Sequence, residues 1–294
     1  MRSPLSLRRV ALLGVLALVL GACGSDSDDA APIVVASFNF PESEILGEIY
    51  AQALESADLP VERQLNLGSR ELIYPDLLGG EIDLLPEYLG SALMVWFGQQ
   101  APADIASGEA ALADAFADDG VRVLSPAPAE NNQAFVVSSS FAAEHDVTTL
   151  GDLANLGPLT FAGPPECEDR DTCHRGLVDT YGLGDLEFQA IQEAAARLAA
   201  LDAGDVDMIL LFSTDAPLAS DAYVVLEETE GMLPPENITP VVRGDVLDAH
   251  DDLQALLDGI TARITTADLQ AMNARASEGA SAAEIAADWL AENA

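Results

Sequence analysis

Leu77-Leu78-Gly79-Gly80-Glu81-Ile82-Asp83-Leu84 has an echo at Leu201-Asp202-Ala203-Gly204-Asp205-Val206-Asp207-Met208. Each copy places a glycine where a helix would end and a short strand where the apolar residues resume, the punctuation of an α/β unit. Either this is generic αβ grammar, or the chain holds two lobes built from related units, each with its own sheet. Five residues past the final aspartate of each copy stand Tyr88, in Pro86-Glu87-Tyr88-Leu89-Gly90-Ser91, and Phe212, in Phe212-Ser213-Thr214-Asp215. Each ring follows a strand, at the end where open α/β sheets bind ligands. Two facing lobes would bring these aromatics together from opposite sides of a cleft; the alternative is two separate core rings.

Working outward, Ile33-Val34-Val35-Ala36 reads as a buried strand, and Pro41 suits the first turn of a following helix. Ile45, Leu46, Ile49, Ala53 and Leu54 recur at helical spacing and give that helix one apolar face, ending before Pro60. Phe135-Val136-Val137, Leu159-Thr160-Phe161-Ala162, Ile209-Leu210-Leu211 and Pro240-Val241-Val242 are further strand candidates. Thr149-x-x-Asp152, Thr265-x-x-Asp268 and Ser281-x-x-Glu284 have the spacing of helix-starting capping boxes. Ile285 and Trp289, four apart, would dock a last helix on a core.

The N-terminal residues place the chain in the cell. Arg2, Arg8 and Arg9 precede the apolar run Val10–Leu20, as in a secretory signal, and the run is short for a membrane span. Leu20-Gly21-Ala22-Cys23 resembles a bacterial lipobox, whose cysteine is lipidated and becomes the new N-terminus. Gly24-Ser25-Asp26-Ser27-Asp28-Asp29 then reads as a polar tether. The expectation is a signal peptide over 1–22, a lipidated Cys23 and tether over 23–32, and a lipid anchor at the outer face of the cell membrane. Cys167 and Cys173 remain. In an oxidising compartment they would close a small disulfide loop; a metal site with His174 is the rival, although its spacing lacks the usual zinc pattern.

Charge removes several partner classes. All 12 basic residues are arginine, against 50 acidic ones, for a formal net charge of −38. Such a surface cannot bind nucleic acid by neutralising phosphates, nor adhere electrostatically to anionic lipid. It reads as a solvated anionic shell, with at most a weak pull on cationic solutes. No Gly-x-Ser-x-Gly elbow, Gly-x-x-x-x-Gly-Lys phosphate loop or His-Glu-x-x-His zinc pair occurs, and three histidines offer little general-base chemistry. The chain is therefore read as a non-enzyme with no cofactor and no metal.

Ser37-Phe38-Asn39-Phe40-Pro41-Glu42, Leu65-Asn66-Leu67-Gly68-Ser69-Arg70-Glu71 and Gly80 through Gly90 resemble solute-binding proteins of ABC importers for glycine betaine, choline and related osmoprotectants. The likeness continues through Gly163-Pro164-Pro165-Glu166-Cys167, Tyr181-Gly182-Leu183, Phe212-Ser213-Thr214-Asp215 and Pro240-Val241-Val242-Arg243. It implies an α/β, two-lobed periplasmic-binding-protein fold (type II) with two hinge crossings. Lobe I would comprise residues 33–132 plus 236–294, and lobe II residues 133–235. The ligand would be a small quaternary amine of the glycine betaine, choline, carnitine or proline betaine type, passed to ABC permease subunits with a cytoplasmic ATPase.

Carried over residue by residue, the resemblance puts a cage tyrosine on Tyr88, a hydroxyl on Ser91, another ring on Phe212, a polar neighbour on Thr214 and a carboxylate-gripping arginine on Arg170. The physics of such a cage is that a trimethylammonium has no N–H to donate, so ring faces hold it by cation–π attraction. A planar guanidinium meets a carboxylate with two parallel hydrogen bonds. Arg170 has an alternative structural reading, paired with Glu166, Glu168, Asp169 or Asp171. The sequence also departs from the family: a lysine position is Phe38, a glutamine is Ser43, and cage tyrosines fall near Ala134 and Glu236. Phe38 could stack on the cation and Glu236 could attract it, which would favour choline or another amine over glycine betaine, or Glu236 is a solvated turn residue. A different small amine, or a repurposed lipid-anchored sensor, is the competing function.

Overall fold

The computed structural model describes residues 31–293. The expected signal peptide and Cys23 lie outside the described residues. The chain opens with β1 (Ile33–Ala36), β2 (Val61–Gln64), β3 (Leu84–Tyr88) and β4 (Val121–Val123), then runs through β5 (Gln133–Ser138), β6 (Leu159–Gly163), β7 (Leu186–Ala190), β8 (Met208–Phe212) and β9 (Tyr223–Val225) before β10 (Ile238–Arg243). These make two five-stranded sheets, ordered β2-β1-β3-β10-β4 and β7-β6-β8-β5-β9. The plans match strand for strand. In each, three strands run parallel, and a fourth (β10 or β5) lies antiparallel to the third and carries the short edge strand.

The echoed sequence explains the match. Helices Arg70–Gly79 and Ala194–Ala203 each end on a glycine in the left-handed region, Gly80 at φ 85° and Gly204 at φ 73°, where a side chain would be strained. The aspartate three residues on then clamps two parallel strands. Asp83 accepts from the Val34 N–H at 2.9 Å while its own N–H donates to the Val34 carbonyl at 2.9 Å; Asp207 does the same to Thr160 at 2.8 and 2.9 Å. The echo is thus one structural unit used twice.

Apolar periodicity finds its place. Ile45, Leu46, Ile49, Ala53 and Leu54 of the helix Pro41–Ser56 are all buried against the first sheet, where each large side chain contributes about 1.5–3 kcal/mol by leaving water. The Thr149/Asp152 and Thr265/Asp268 capping boxes form, and Ser281 and Glu284 bond reciprocally. Ile285 and Trp289 sit in the first core. Among the described residues no helix is long and apolar enough to cross a membrane.

The chain passes from the first sheet to the second after β4 and returns at β10, and the two passages touch in an antiparallel bridge between Glu130 and Asn237. Each passage joins its sheets beside an aromatic residue: Ile238 pairs with Tyr88, and Gln133 pairs with Phe212. The carboxyl ends of both parallel strand sets therefore border the passages. Helix Thr266–Ser277 reaches across as well, with the Gln270 amide donating to the Ser213 carbonyl at 2.8 Å and the Asn273 amide to the Thr214 carbonyl at 3.0 Å.

Candidate functional site

On the first lobe the site is built from β1, β3 and the start of helix Arg70–Gly79. Ser43 Oγ accepts from the Phe38 N–H at 2.9 Å and fixes the turn after β1. Phe38 stacks on Phe40, and Phe40 tilts against Tyr88. The Tyr88 hydroxyl donates to Glu42 at 2.7 Å, and Glu42 also accepts from the amides of Asn131 at 2.9 Å and Asn273 at 2.7 Å. Burial first, then the adjacent Glu42, holds the Tyr88 phenol well above its ordinary pKa, so it stays a donor.

These rings do not form an open cage. Tyr88 is 3% exposed and Phe38 1%, and a charge of the chain's own lies over them. The Arg70 guanidinium sits 4.6 Å from the Phe38 ring centre and 5.5 Å from that of Tyr88. Its Nε and Nη2 bond to the fully buried Glu87 at 2.6 and 3.0 Å. Burial alone pushes the Glu87 carboxyl up and Arg70 pulls it back, while burial opposes and Glu87 favours the charged guanidinium. Losing one partner of such a pair costs about 3–5 kcal/mol, whereas a cation–π contact is worth about 0.5–2 kcal/mol. The pair is the stronger tie.

Ser91 and Glu236 meet each other. The Ser91 N–H and hydroxyl both donate to Glu236 at 3.0 Å. In the same turn the Leu89 and Gly90 N–H groups donate to the Asn237 and Pro235 carbonyls at 3.1 and 3.0 Å. The returning passage thus supplies acceptors for the first turn of helix Leu89–Phe97, whose donors lack partners within the helix. Gly90 permits the approach: a Cβ there would lie 2.9 Å from the Pro235 carbonyl oxygen. Glu236 is therefore a capping group rather than a solvated turn residue. Burial raises its carboxyl from 4.5 to about 7, with the Ser91 bonds acting in the opposite direction.

On the second lobe Phe212 is 43% exposed at the end of β8. It borders a cavity of about 180 Å³ shared with Arg170, Gln133, Gln192, Arg197 and the cysteine pair. Cys167 and Cys173 are joined in a disulfide, which removes both from the rival metal site; His174 Nε2 instead lies 3.1 Å from the Leu186 carbonyl. Among the described side chains no carboxylate pairs with Arg170, and Asp171 is taken by Arg175. Thr214 is buried at the junction, where its carbonyl meets Asn273.

Tyr88, Phe38, Ser91 and Glu236 thus gather on one lobe and Phe212 and Arg170 on the other, with Thr214 between them. Arg70, Glu87 and Arg197 were not singled out from sequence. Arg197 is buried behind Phe212, its guanidinium donating to the carbonyls of Leu210, Ile191 and Gln192 at 2.7, 2.9 and 2.8 Å. The echo carried an unused signal: at the Asp83-to-Asp207 offset, Arg70 corresponds to Ala194 and Glu87 to Leu211. A charged pair in one copy faces two apolar residues in the other.

Comparison with known proteins agrees with this architecture. The chain is 26% identical over 287 residues to the glycine betaine-binding protein YehZ of Escherichia coli, covering 93% of this chain and 94% of that protein. It is 28% identical over 266 residues to a glycine-betaine-binding protein of Pseudomonas aeruginosa, covering 86% and 85%. The solved structure of apo YehZ superposes with a TM-score of 0.77 at 26% identity, covering 90% of this chain and 99% of that one; the fold is the two-lobed, type II periplasmic-binding arrangement. The pattern describing the substrate binding domain of ABC-type glycine betaine transport systems matches residues 31–292, and this chain belongs to that family of solute-binding proteins.

Proposed function

We propose that the protein is the extracytoplasmic solute-binding component of an ABC importer for quaternary ammonium osmolytes, held to the membrane by a lipid on Cys23 after removal of residues 1–22. The passages near Glu130–Asn132 and Pro235–Asn237 act as the hinge between lobe I (33–132 with 236–294) and lobe II (133–235). The observation that carries the reading is the cavity at the carboxyl ends of the second parallel set, which an exposed ring, Phe212, and an arginine, Arg170, both line. A zwitterion such as glycine betaine offers the complementary pair of groups, an ammonium for the ring and a carboxylate for the guanidinium. The facing lobe supplies the carboxyl groups of Glu42, of Glu87 in its pair with Arg70, and of Glu236, which burial raises to about 7. Closure of the lobes would present the loaded form to permease subunits driven by a cytoplasmic ATPase.

Titration calorimetry with glycine betaine, carnitine and choline tests this. Phe212→Ala is expected to weaken all three at least tenfold, about 1.4 kcal/mol. Arg170→Ala is expected to weaken glycine betaine far more than choline; equal losses would remove Arg170 from the carboxylate role, and no binding by the unaltered chain would end the reading.

A further inference from the structure

We propose that Arg70 is a specificity-determining residue of the cleft: a resident cation that withholds the Phe38 and Tyr88 ring faces from a ligand's ammonium group and so makes binding depend on the ligand's anionic end. This rests on the solute-binding reading above and adds to it the reason one lobe offers no open ring.

Three observations carry it. The first is occupancy: the Arg70 guanidinium lies 4.6 Å and 5.5 Å from the two ring centres, the range a ligand cation would need. The second is permanence. Arg70 begins its helix, where the dipole disfavours a cation, yet it is held by two bonds to buried Glu87, and its carbonyl accepts from the Trp96 indole at 3.2 Å. An incoming ammonium would only replace contacts that Arg70 already makes with the rings, and it would break the bond to Glu87 as well. The exchange loses on balance.

The third observation is an internal control. The second lobe repeats the unit with Ala194 and Leu211 in place of Arg70 and Glu87; its own buried arginine, Arg197, bonds the Leu210, Ile191 and Gln192 carbonyls, and the ring five residues past the aspartate, Phe212, is 43% exposed against 3% for Tyr88. With the Phe38 and Tyr88 faces taken, a bare quaternary cation is left to Phe212 and the carboxylates. A zwitterion keeps these and Arg170 as well. Arg70 therefore acts as a filter against small cations that lack an anionic group.

The test transplants the second lobe's pair into the first. Titration calorimetry on the full chain compares the native protein with R70A/E87L, using tetramethylammonium chloride and glycine betaine. The variant is expected to bind tetramethylammonium at least tenfold more tightly and to narrow its preference for glycine betaine. Unchanged or weaker tetramethylammonium binding by a variant that melts cooperatively would overturn the proposal. R70A/E87Q, which keeps the acceptor for the Tyr88 N–H, serves if R70A/E87L does not fold. If the native chain binds glycine betaine through Phe212 and R70A/E87L gains nothing, the proposal alone falls; if neither chain binds any quaternary amine, it falls together with the function on which it rests.

Discussion

Tyr88 and Phe212 occupy the same place in two copies of one structural unit, at the carboxyl end of the third parallel strand and beside a passage between lobes. One is sealed and the other stands open. The backbone is not the cause, since sheet order, the glycine helix stop and the aspartate clamp are shared. The difference is made by side chains that reach the ring from elsewhere: Arg70 over its face and Glu42 on its hydroxyl in the first lobe. A duplicated scaffold can thus hold two rings in equivalent positions, sealing one and leaving the other exposed.

The sharpest way to break this contrast is to truncate one ring of each kind. Phe38→Ala is expected to cost about 3–5 kcal/mol of unfolding free energy, as for a fully buried aromatic, whereas Phe212→Ala, at an exposed ring, should stay within about 0.5 kcal/mol and act on affinity. Urea unfolding of both variants checks it, and comparable losses would erase the distinction. Smaller, and expected to be equal in the two lobes, is the effect of the clamps: Asp83→Ala and Asp207→Ala each leave a strand N–H without its acceptor, at about 1–3 kcal/mol apiece. A strongly unequal pair would mean that the shared unit is not energetically shared.

The remaining effect is one of pH. Burial raises Glu236 from 4.5 to about 7, so between those values the folded chain holds a proton that the unfolded chain releases. The contribution is fully present below pH 4.5 and is lost as pH rises through about 7, so stability falls across that window. Glu236→Gln should flatten this part of the stability curve. An identical slope in the variant would assign the proton to another group, of which Glu87, also pushed upward by burial, is the nearest.

Much of the scaffold was written locally. The strand at Ile33–Ala36, the apolar face of helix Pro41–Ser56, the three capping boxes and the docking of Ile285 and Trp289 depend on residues within a turn or two of one another. The echo of Leu77–Leu84 at Leu201–Met208 foretold two related sheets, and the motif order pointed to the family. The small disulfide loop was also legible, its cysteines six residues apart.

The site was legible only in part, because its decisive contacts carry no local periodicity. Composition supplied the acidic residues without showing which would be buried together. Glu236 caps a helix start 145 residues earlier in the chain, and Asn273 bonds Glu42 across 231 residues. Arg70 stood in the sequence only as part of the stretch Leu65–Glu71 that resembles the family; its contacts follow from β3 lying alongside, which brings Glu87 and Tyr88 within reach of one guanidinium. The amino-acid order determined which elements form and that they form twice, since propensity, capping and apolar spacing act over a few residues. Tertiary structure decided which of two matching rings remains open to a solute, because covering a ring requires side chains from separate elements to converge and exclude water together.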